Sequence, residues 1–298
     1  MASREDNART GFNRRFLSML IRESWSDMLA LSLMGGATGA IYFSDLPWTR
    51  NFPLYHLSGD VINPELAYPD RGWIIRTWVS GLICAVVPAA VILLVQIRER
   101  SIWDTLTAIN GVFLSLALCS FIFVVTKHLI GGFRPYFLAV CMPDISLAAN
   151  NETGLDAVGF QQVMYTSSIC TQPDKSLLKQ AMTSFPSGHA ASPFASFGFL
   201  FLYLNAKLKV WADKQPAIWK LAVTMAPLFA AFLMACIIIV DRAHHWYDVV
   251  VGIAIGITTA FASFRRSYAA IWDWRYNHIP LKRHSSFIEE ELKHSDSE

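Results

Sequence analysis

Six stretches of the sequence contain no Asp, Glu, Lys or Arg and are dominated by apolar side chains. A transmembrane helix needs about 20 mainly apolar residues. The pattern therefore predicts an all-α, polytopic membrane protein with six transmembrane helices. The stretches cover residues 28–44, 77–97, 105–126, 182–206, 221–240 and 249–264. The first and last are short, and helix 6 is expected to begin upstream, near His244.

Lysine and arginine are unevenly distributed between the segments that join these helices. If the N-terminus is cytosolic, the cytosolic segments hold 17 of the 25 Lys and Arg residues, and the opposite side holds eight. Such an excess is typical of cytosolic segments, so an N-in, C-in topology is predicted. The first 27 residues lack the continuous apolar core of a cleavable signal peptide, which also favours a cytosolic N-terminus. The cytosolic segments would be 1–27, 98–104, 207–220 and 265–298.

The helices form one predicted membrane domain, residues 27–266, between a cytosolic N-terminal tail, 1–26, and a cytosolic C-terminal tail, 267–298. The C-terminal tail is expected to be partly disordered from His284 onward, because it lacks an apolar period. The domain includes a long predicted lumenal loop, residues 127–187. Loops of this length in compact domains are usually functional or disordered.

Two features of the lumenal loop suggest covalent modification. Asn151-Glu152-Thr153 is a glycosylation sequon, for which chance occurrence is the alternative. Cys141 and Cys170 lie in the same loop and form a plausible disulfide in an oxidising compartment. The sequence gives no distance between them.

The composition agrees with a membrane location. Of the 298 residues, 53% are hydrophobic and 16% are charged, which is more apolar than a soluble domain of this size. The formal net charge of +2 does not indicate a nucleic-acid partner. The oligomeric state is left open.

Polar residues gather at the predicted lumenal ends of helices 3 and 4. The first cluster, Lys127–Pro135, combines a Lys point charge with the Arg134 fork, which together suit a phosphate. The second, Ser184–His189, precedes an apolar helix whose N-terminal amides form a potential anion site, into which His189 would point. Snorkelling anchors and a helix cap with an interfacial histidine are the structural alternatives.

The third cluster, Asp241–Asp248, opens predicted helix 6. His244 and Asp248 stand four residues apart and would share a helix face. The carboxylate could then accept a proton from one ring nitrogen and leave the other as a nucleophile. An ionisable pair entering a membrane helix favours a functional site, although interfacial histidines beside an aromatic belt are the alternative.

The order and spacing of the three clusters resemble the signature motifs of the type 2 phosphatidic acid phosphatase superfamily. From about residue 45 to 265, the chain also looks like the fungal lipid phosphate and diacylglycerol pyrophosphate phosphatases, for example at Glu65–Pro69 and Arg100–Asp104. The resemblance implies hydrolysis of a lipid phosphate without a metal or other cofactor. It implies that His244 attacks phosphorus, Asp248 orients it, and His189 protonates the leaving oxygen. The groups implied to hold the phosphoryl oxygens are Lys127, Arg134, Ser187 and the Gly188 amide.

One position departs from the family pattern. The third motif normally has an Arg six residues before the nucleophilic histidine, where this chain has Ile238. Arg242 is the candidate substitute, because it would lie about one helical turn along if the helix includes it. A head-group anchor is the alternative role for Arg242.

The missing arginine leaves two functions open. The first is a lipid phosphate phosphatase of the secretory or vacuolar system or the plasma membrane, with a lumenal or extracellular active site. The second is a catalytically weak relative that binds or moves lipid phosphates. An unrelated six-helix transporter is less well supported, because its charged residues should lie at mid-membrane.

Overall fold

The computed structural model describes residues 25–45, 50–54, 60–148 and 164–281. The sequon at Asn151, the tail 1–24 and the tail from 282 onward lie outside the described residues. Glycosylation at Asn151 and disorder of the C-terminal end therefore stay predictions.

Helices account for most of the described residues. Residues 25–43 are helical and are called α1 here. The other helices are α2 Thr77–Glu99, α3 Ile102–Ile130, α4 Phe137–Cys141, α5 Lys175–Ala181, α6 Gly188–Leu208, α7 Ile218–Val240 and α8 Trp246–Ser267. Short 3-10 helices lie at Pro64–Leu66, Ile145–Leu147 and Ser167–Ile169, and two short strands, β1 Phe52–Pro53 and β2 Met164–Tyr165, pair antiparallel.

Four helices of the described chain, α2, α3, α7 and α8, are long and apolar enough to cross a membrane. The prediction of a mainly helical chain is confirmed, with four described helices able to span a membrane, and the count of six stays a prediction. The charge-free stretch 182–206 begins before its helix, as the predicted loop 127–187 implies. Its first residues follow α5 and approach the N-terminus of α6, which begins only at Gly188.

Helix α6 is the central element of the bundle. It packs against α2, α3, α7 and α8, and 17 of its 21 residues are buried. Two glycines let α8 approach it closely. A Cβ at Gly252 would lie 2.5 Å from the Ser187 carbonyl oxygen, and one at Gly256 would lie 2.4 Å from that of Ala191. This spacing of small residues allows backbone contact between helices, and it brings the N-terminal ends of α6 and α8 together.

A second hydrophobic core caps the bundle where α3 ends and α6 begins. The described parts of the predicted lumenal loop form most of this cap, together with Phe52 and Leu54 from the segment before α2. Cys141 and Cys170 are joined in it by a disulfide, with Cα atoms 4.5 Å apart. Ile238, at the end of α7, is also buried in the cap core. Other buried members are Phe52, Leu54, Tyr136, Phe137, Val140 and Ile169.

The opposite end of the bundle contains a buried polar network around Asp104. The Lys207 ammonium lies 2.8 Å from one Asp104 oxygen, and the Tyr268 hydroxyl donates to the same oxygen at 3.0 Å. Tyr268 follows α8 and is fully buried. The described part of the C-terminal segment, to Leu281, thus packs against the bundle.

Candidate active site

The first two polar clusters run side by side above the end of α3. Helix α3 ends at Ile130, and Gly131 and Gly132 adopt positive φ angles of 63° and 111° that favour glycine. The amides of Ser184 and Phe185 then donate to the carbonyls of Gly132 and Gly131, both at 2.9 Å. This backbone pairing fixes the first cluster against the N-terminus of α6.

Lys127 and Arg134 are both oriented by backbone carbonyl groups. Lys127 Nζ donates to the carbonyls of Thr183 and Ser184, at 2.8 and 3.1 Å. Arg134 is buried, with Nε donating to the Gln180 carbonyl at 2.7 Å and Nη1 to another carbonyl at 3.0 Å. These acceptors are neutral, so both positive charges remain available to an anion.

His244 and Asp248 come together, but not through a shared helix face. Helix α8 begins at Trp246, so His244 precedes it, and the expectation of a helical pair was wrong. His244 Nδ1 nevertheless lies 3.5 Å from Asp248 Oδ2 and 3.4 Å from Ser184 Oγ. The Ser184 hydroxyl donates to the same carboxylate oxygen.

This arrangement orients the His244 imidazole. Because the Ser184 proton is directed to the carboxylate, the Ser184 oxygen can accept from Nδ1–H, and Nε2 is then the nitrogen without a proton. The sequence patterns do not indicate this role for Ser184. The Asp248 oxygen also accepts the His245 amide at 3.1 Å, which holds the carboxylate at the start of α8.

The surroundings of His244 favour its neutral form. Burial, followed by the positive charges of Arg134 and Lys127, holds the pKa of His244 well below its usual 6.5. A neutral imidazole is the form in which a histidine can act as a nucleophile.

His189 faces the same region, together with an aromatic residue that the motifs do not include. The Trp73 ring lies 4.4 Å from that of His189 and 6.5 Å from that of His244. The Arg134 guanidinium lies 4.9 Å from the Trp73 ring centre. Trp73 follows a proline-rich loop. The only sequence signal for its role is a large aromatic residue in a segment without a periodic apolar pattern. Within the described chain, His189 Nε2 has no hydrogen-bond partner.

These side chains border a cavity of about 540 Å³, called the histidine cavity here. Its polar wall includes Lys127, Arg134, His189, His244 and Gly188. A further part of the wall comes from the cap-side ends of α2 and α3, through Thr77, Ser80, Gly81, Phe123 and Val124. The cavity therefore joins a cationic, histidine-bearing region to the apolar surface of two membrane-spanning helices.

Ser187 and Gly188 lie at the start of α6. Ser187 is fully buried, and its amide donates to the Asp248 carbonyl at 3.0 Å. Its hydroxyl has no partner among the described residues. A Cβ at Gly188 would lie 2.9 Å from the Phe123 ring, so a side chain there would narrow the cavity.

Arg242 is not brought into this group. Helix α7 ends at Val240, and the turn that follows gives Arg242 a φ of 55°. Its guanidinium lies over the Tyr68 ring, 4.4 Å from the centre, outside the histidine cavity. The helical turn expected to aim Arg242 at the phosphate is absent. Ile238 points into the cap core, where it is 1% exposed.

Comparison with known proteins places these residues in a wider group. The sequence profile of the PAP2 superfamily matches residues 108–272. Lipid phosphate phosphatase 2 of Arabidopsis thaliana is 31% identical over 221 residues, which cover 74% of this chain and 71% of that protein. Probable diacylglycerol pyrophosphate phosphatase 1 of Schizosaccharomyces pombe is 30% identical over 226 residues, covering 75% and 74%.

A PA-phosphatase related-family protein of Dictyostelium discoideum is 33% identical over 222 residues, and the match spans 64% of its length. No solved structure matches significantly. The four long apolar helices, together with relatives named as lipid phosphatases, identify an integral membrane protein.

Proposed function

The chain belongs to the PAP2 superfamily, and on this premise we propose that it is a phosphatidate phosphatase-type hydrolase of lipid phosphates. One observation carries the proposal. His244 is held through Nδ1 by Ser184 and Asp248 at a cavity whose wall also bears Lys127 and Arg134.

In the proposed reaction, His244 Nε2 attacks phosphorus, so that an N–P bond forms and the bond to the lipid oxygen breaks. His189 donates a proton to that leaving oxygen. Water then attacks the phosphohistidine, His189 accepts its proton, the N–P bond breaks and phosphate leaves. Lys127 and Arg134 stabilise the charge on the phosphoryl oxygens, which is the main requirement of phosphoryl transfer.

The proposed substrates are phosphatidate, diacylglycerol pyrophosphate, lysophosphatidate or related lipid phosphates. The relatives' names support this class. The wall of the histidine cavity supports it as well, because its apolar side suits a lipid chain beside the cationic region. We propose that no Mg²⁺ is needed, since Lys127 and Arg134 supply positive charge directly.

Phosphate release from purified protein in mixed micelles tests the proposal. Wild type should release phosphate from at least one of these lipids, orthovanadate should inhibit, and excess EDTA should leave the rate nearly unchanged. His244→Ala should reduce turnover by at least about 10³-fold. His278→Ala, at the opposite end of the bundle, is the matched control and should remain active. Turnover that survives in His244→Ala would exclude the assigned nucleophile.

The binding-only alternative is not favoured. It was motivated by Ile238, yet that side chain packs in the cap core and two cations still border the histidine cavity. A folded wild-type protein that binds phosphatidate but releases no phosphate from any lipid would revive it.

We further propose six spans with both termini in the cytosol and the site on the lumenal or extracellular face, in the secretory or vacuolar system or the plasma membrane. The charge distribution and the sequon at Asn151 support this orientation. Endoglycosidase should shift the wild type on a gel and leave Asn151→Gln unchanged. A cysteine introduced in loop 127–187 provides a second test. If a membrane-impermeant reagent labels this cysteine from the cytosolic side, the proposed orientation is contradicted.

A further inference from the structure

A second cavity of about 390 Å³ lies beside the turn that joins α7 to α8, and we call it the arginine groove. Its lining residues are Tyr68, Pro69, Arg71, Ile239, Val240 and Arg242. It shares none of them with the histidine cavity. The groove is therefore a separate site, and it accounts for the placement of Arg242.

Arg242 is held in the groove by its backbone and by an aromatic ring. Its φ of 55° lies in the left-handed region, which a side chain of this type rarely adopts. The guanidinium stacks over Tyr68, 4.4 Å from the ring centre. Stacking covers one face of the planar group and leaves its N–H edges directed sideways, available to an acceptor.

The positive charges of the groove are not neutralised by the carboxylates nearby. Asp241 is buried and accepts the Ile74 amide at 3.0 Å, and Asp70 accepts the Gly72 amide at 3.0 Å. In the part of the chain that the structure describes, neither Arg71 nor Arg242 forms an ion pair. Within the described residues, two exposed arginines thus lie beside one cavity without an ion-pair partner.

The floor of the groove is apolar and belongs to the end of a membrane-spanning helix. Ile239 and Val240 are 37% and 68% exposed in the last turn of α7. Nearby, Trp246 is 68% exposed at the start of α8, as is common for tryptophan at a membrane interface. With α7 spanning the membrane as proposed, the groove lies at the depth of the lipid head groups and has apolar side chains on its bilayer side.

From these observations we propose that the arginine groove binds the head group of an anionic phospholipid. Arg242 and Arg71 would hold the phosphodiester, with the acyl chains along Ile239 and Val240. An arginine fork suits phosphate oxygens, and basic pockets between helices at the interface bind anionic lipids. The groove has no histidine in its lining, so the lipid held there is a resident ligand and is not hydrolysed.

Lipid binding to a His244→Ala background tests this without depending on the phosphatase reaction. Native mass spectrometry should show retention of phosphatidylglycerol in preference to phosphatidylcholine. Arg71→Gln should weaken phosphatidylglycerol binding roughly tenfold, the expected loss of one charge-assisted partner. Arg242→Asn should do the same while tolerating the positive φ.

Arg76→Gln is the matched control, because it removes the same charge from an exposed residue outside the groove. It should leave binding unchanged. Inorganic phosphate in excess should not displace the lipid, since the apolar floor contributes to binding. The proposal is overturned if the Arg71→Gln protein, shown folded by its melting temperature, retains wild-type phosphatidylglycerol binding, or if all three variants weaken binding equally.

Discussion

Asp104 and Asp248 are both buried carboxylates, 2% and 0% exposed, but their surroundings differ. Side chains satisfy both oxygens of Asp104. Its partners are Lys207, Tyr268, Tyr203 and Gln96. For Asp248, all three polar contacts fall on Oδ2, and Oδ1 has no partner among the described residues.

The difference separates a structural carboxylate from one beside a reaction site. A buried polar group that lacks a partner costs free energy, so saturation is the rule where stability alone matters. Near Asp248, Ser187 Oγ and His189 Nε2 also lack partners within the described chain, but so do Trp103 Nε1 and Asn205 Nδ2 toward the Asp104 end. The atoms near Asp248 differ in lying close to the histidine cavity, where a substrate or water would complete their hydrogen bonding.

The strongest test of this contrast is Asp248→Asn. The amide keeps the shape and one acceptor but removes the charge that stabilises a cationic His244. We expect phosphate release to fall by about 10³- to 10⁴-fold, the scale seen when the carboxylate partner of a catalytic histidine is neutralised. The melting temperature should change little. A marked loss of stability with activity retained would reverse the roles assigned to the two carboxylates.

Asp104→Asn should show the opposite pattern. It leaves the Lys207 ammonium buried without its counter-charge, a change that typically costs about 3 to 5 kcal/mol. Thermal or denaturant unfolding should reveal the loss, while the folded fraction keeps its specific activity. Replacing both residues, as Asp104→Asn with Lys207→Met, should recover most of the stability. If the double variant is no more stable than the single one, the ion pair is not the main cause.

A smaller effect concerns pH. Because the pKa of His244 in the folded protein lies well below 6.5, the unfolded chain takes up a proton there that the folded chain does not. Stability should therefore be complete above about pH 6.5 and decline as the pH falls, by at most about 1.4 kcal/mol per pH unit. His244→Gln should flatten part of the decline in melting temperature between pH 7.5 and 5.5. The substitution His128→Gln serves as control, and an equal flattening there would argue against His244.

The sequence predicted the spanning helices better than the turns between them. The charge-free runs 77–97 and 221–240 lie within α2 and α7, because lipid contact requires continuous apolar surface. The run 221–240 ends where α7 ends, but local patterns could not show that the following turn directs Arg242 toward Tyr68 and away from the histidine cavity. The four-residue spacing of Gly252 and Gly256 is a sequence signal for the packing of α6 on α8.

The sequence predicted the charged and histidine residues of the candidate site, but it did not predict the aromatic residue Trp73. Lys127, Arg134, His189 and His244 border one cavity because backbone pairing and the glycine contact align three separate segments. Trp73 comes from a loop with no periodic pattern, and only the tertiary structure brings it to the histidines. The cap core likewise depends on contacts between distant segments, which local patterns do not encode.

The enclosure of α6 has a consequence for how the protein is made. Because most of its residues are buried within the protein, α6 depends on the rest of the chain for its surroundings. Helices α7 and α8 and the segment carrying Tyr268 all leave the ribosome after it. Until they arrive, Lys207 and Asn205 have only part of their final surroundings. Burial of α6 is therefore complete only late in synthesis, and a chain cut short before Tyr268 would leave part of its central helix exposed.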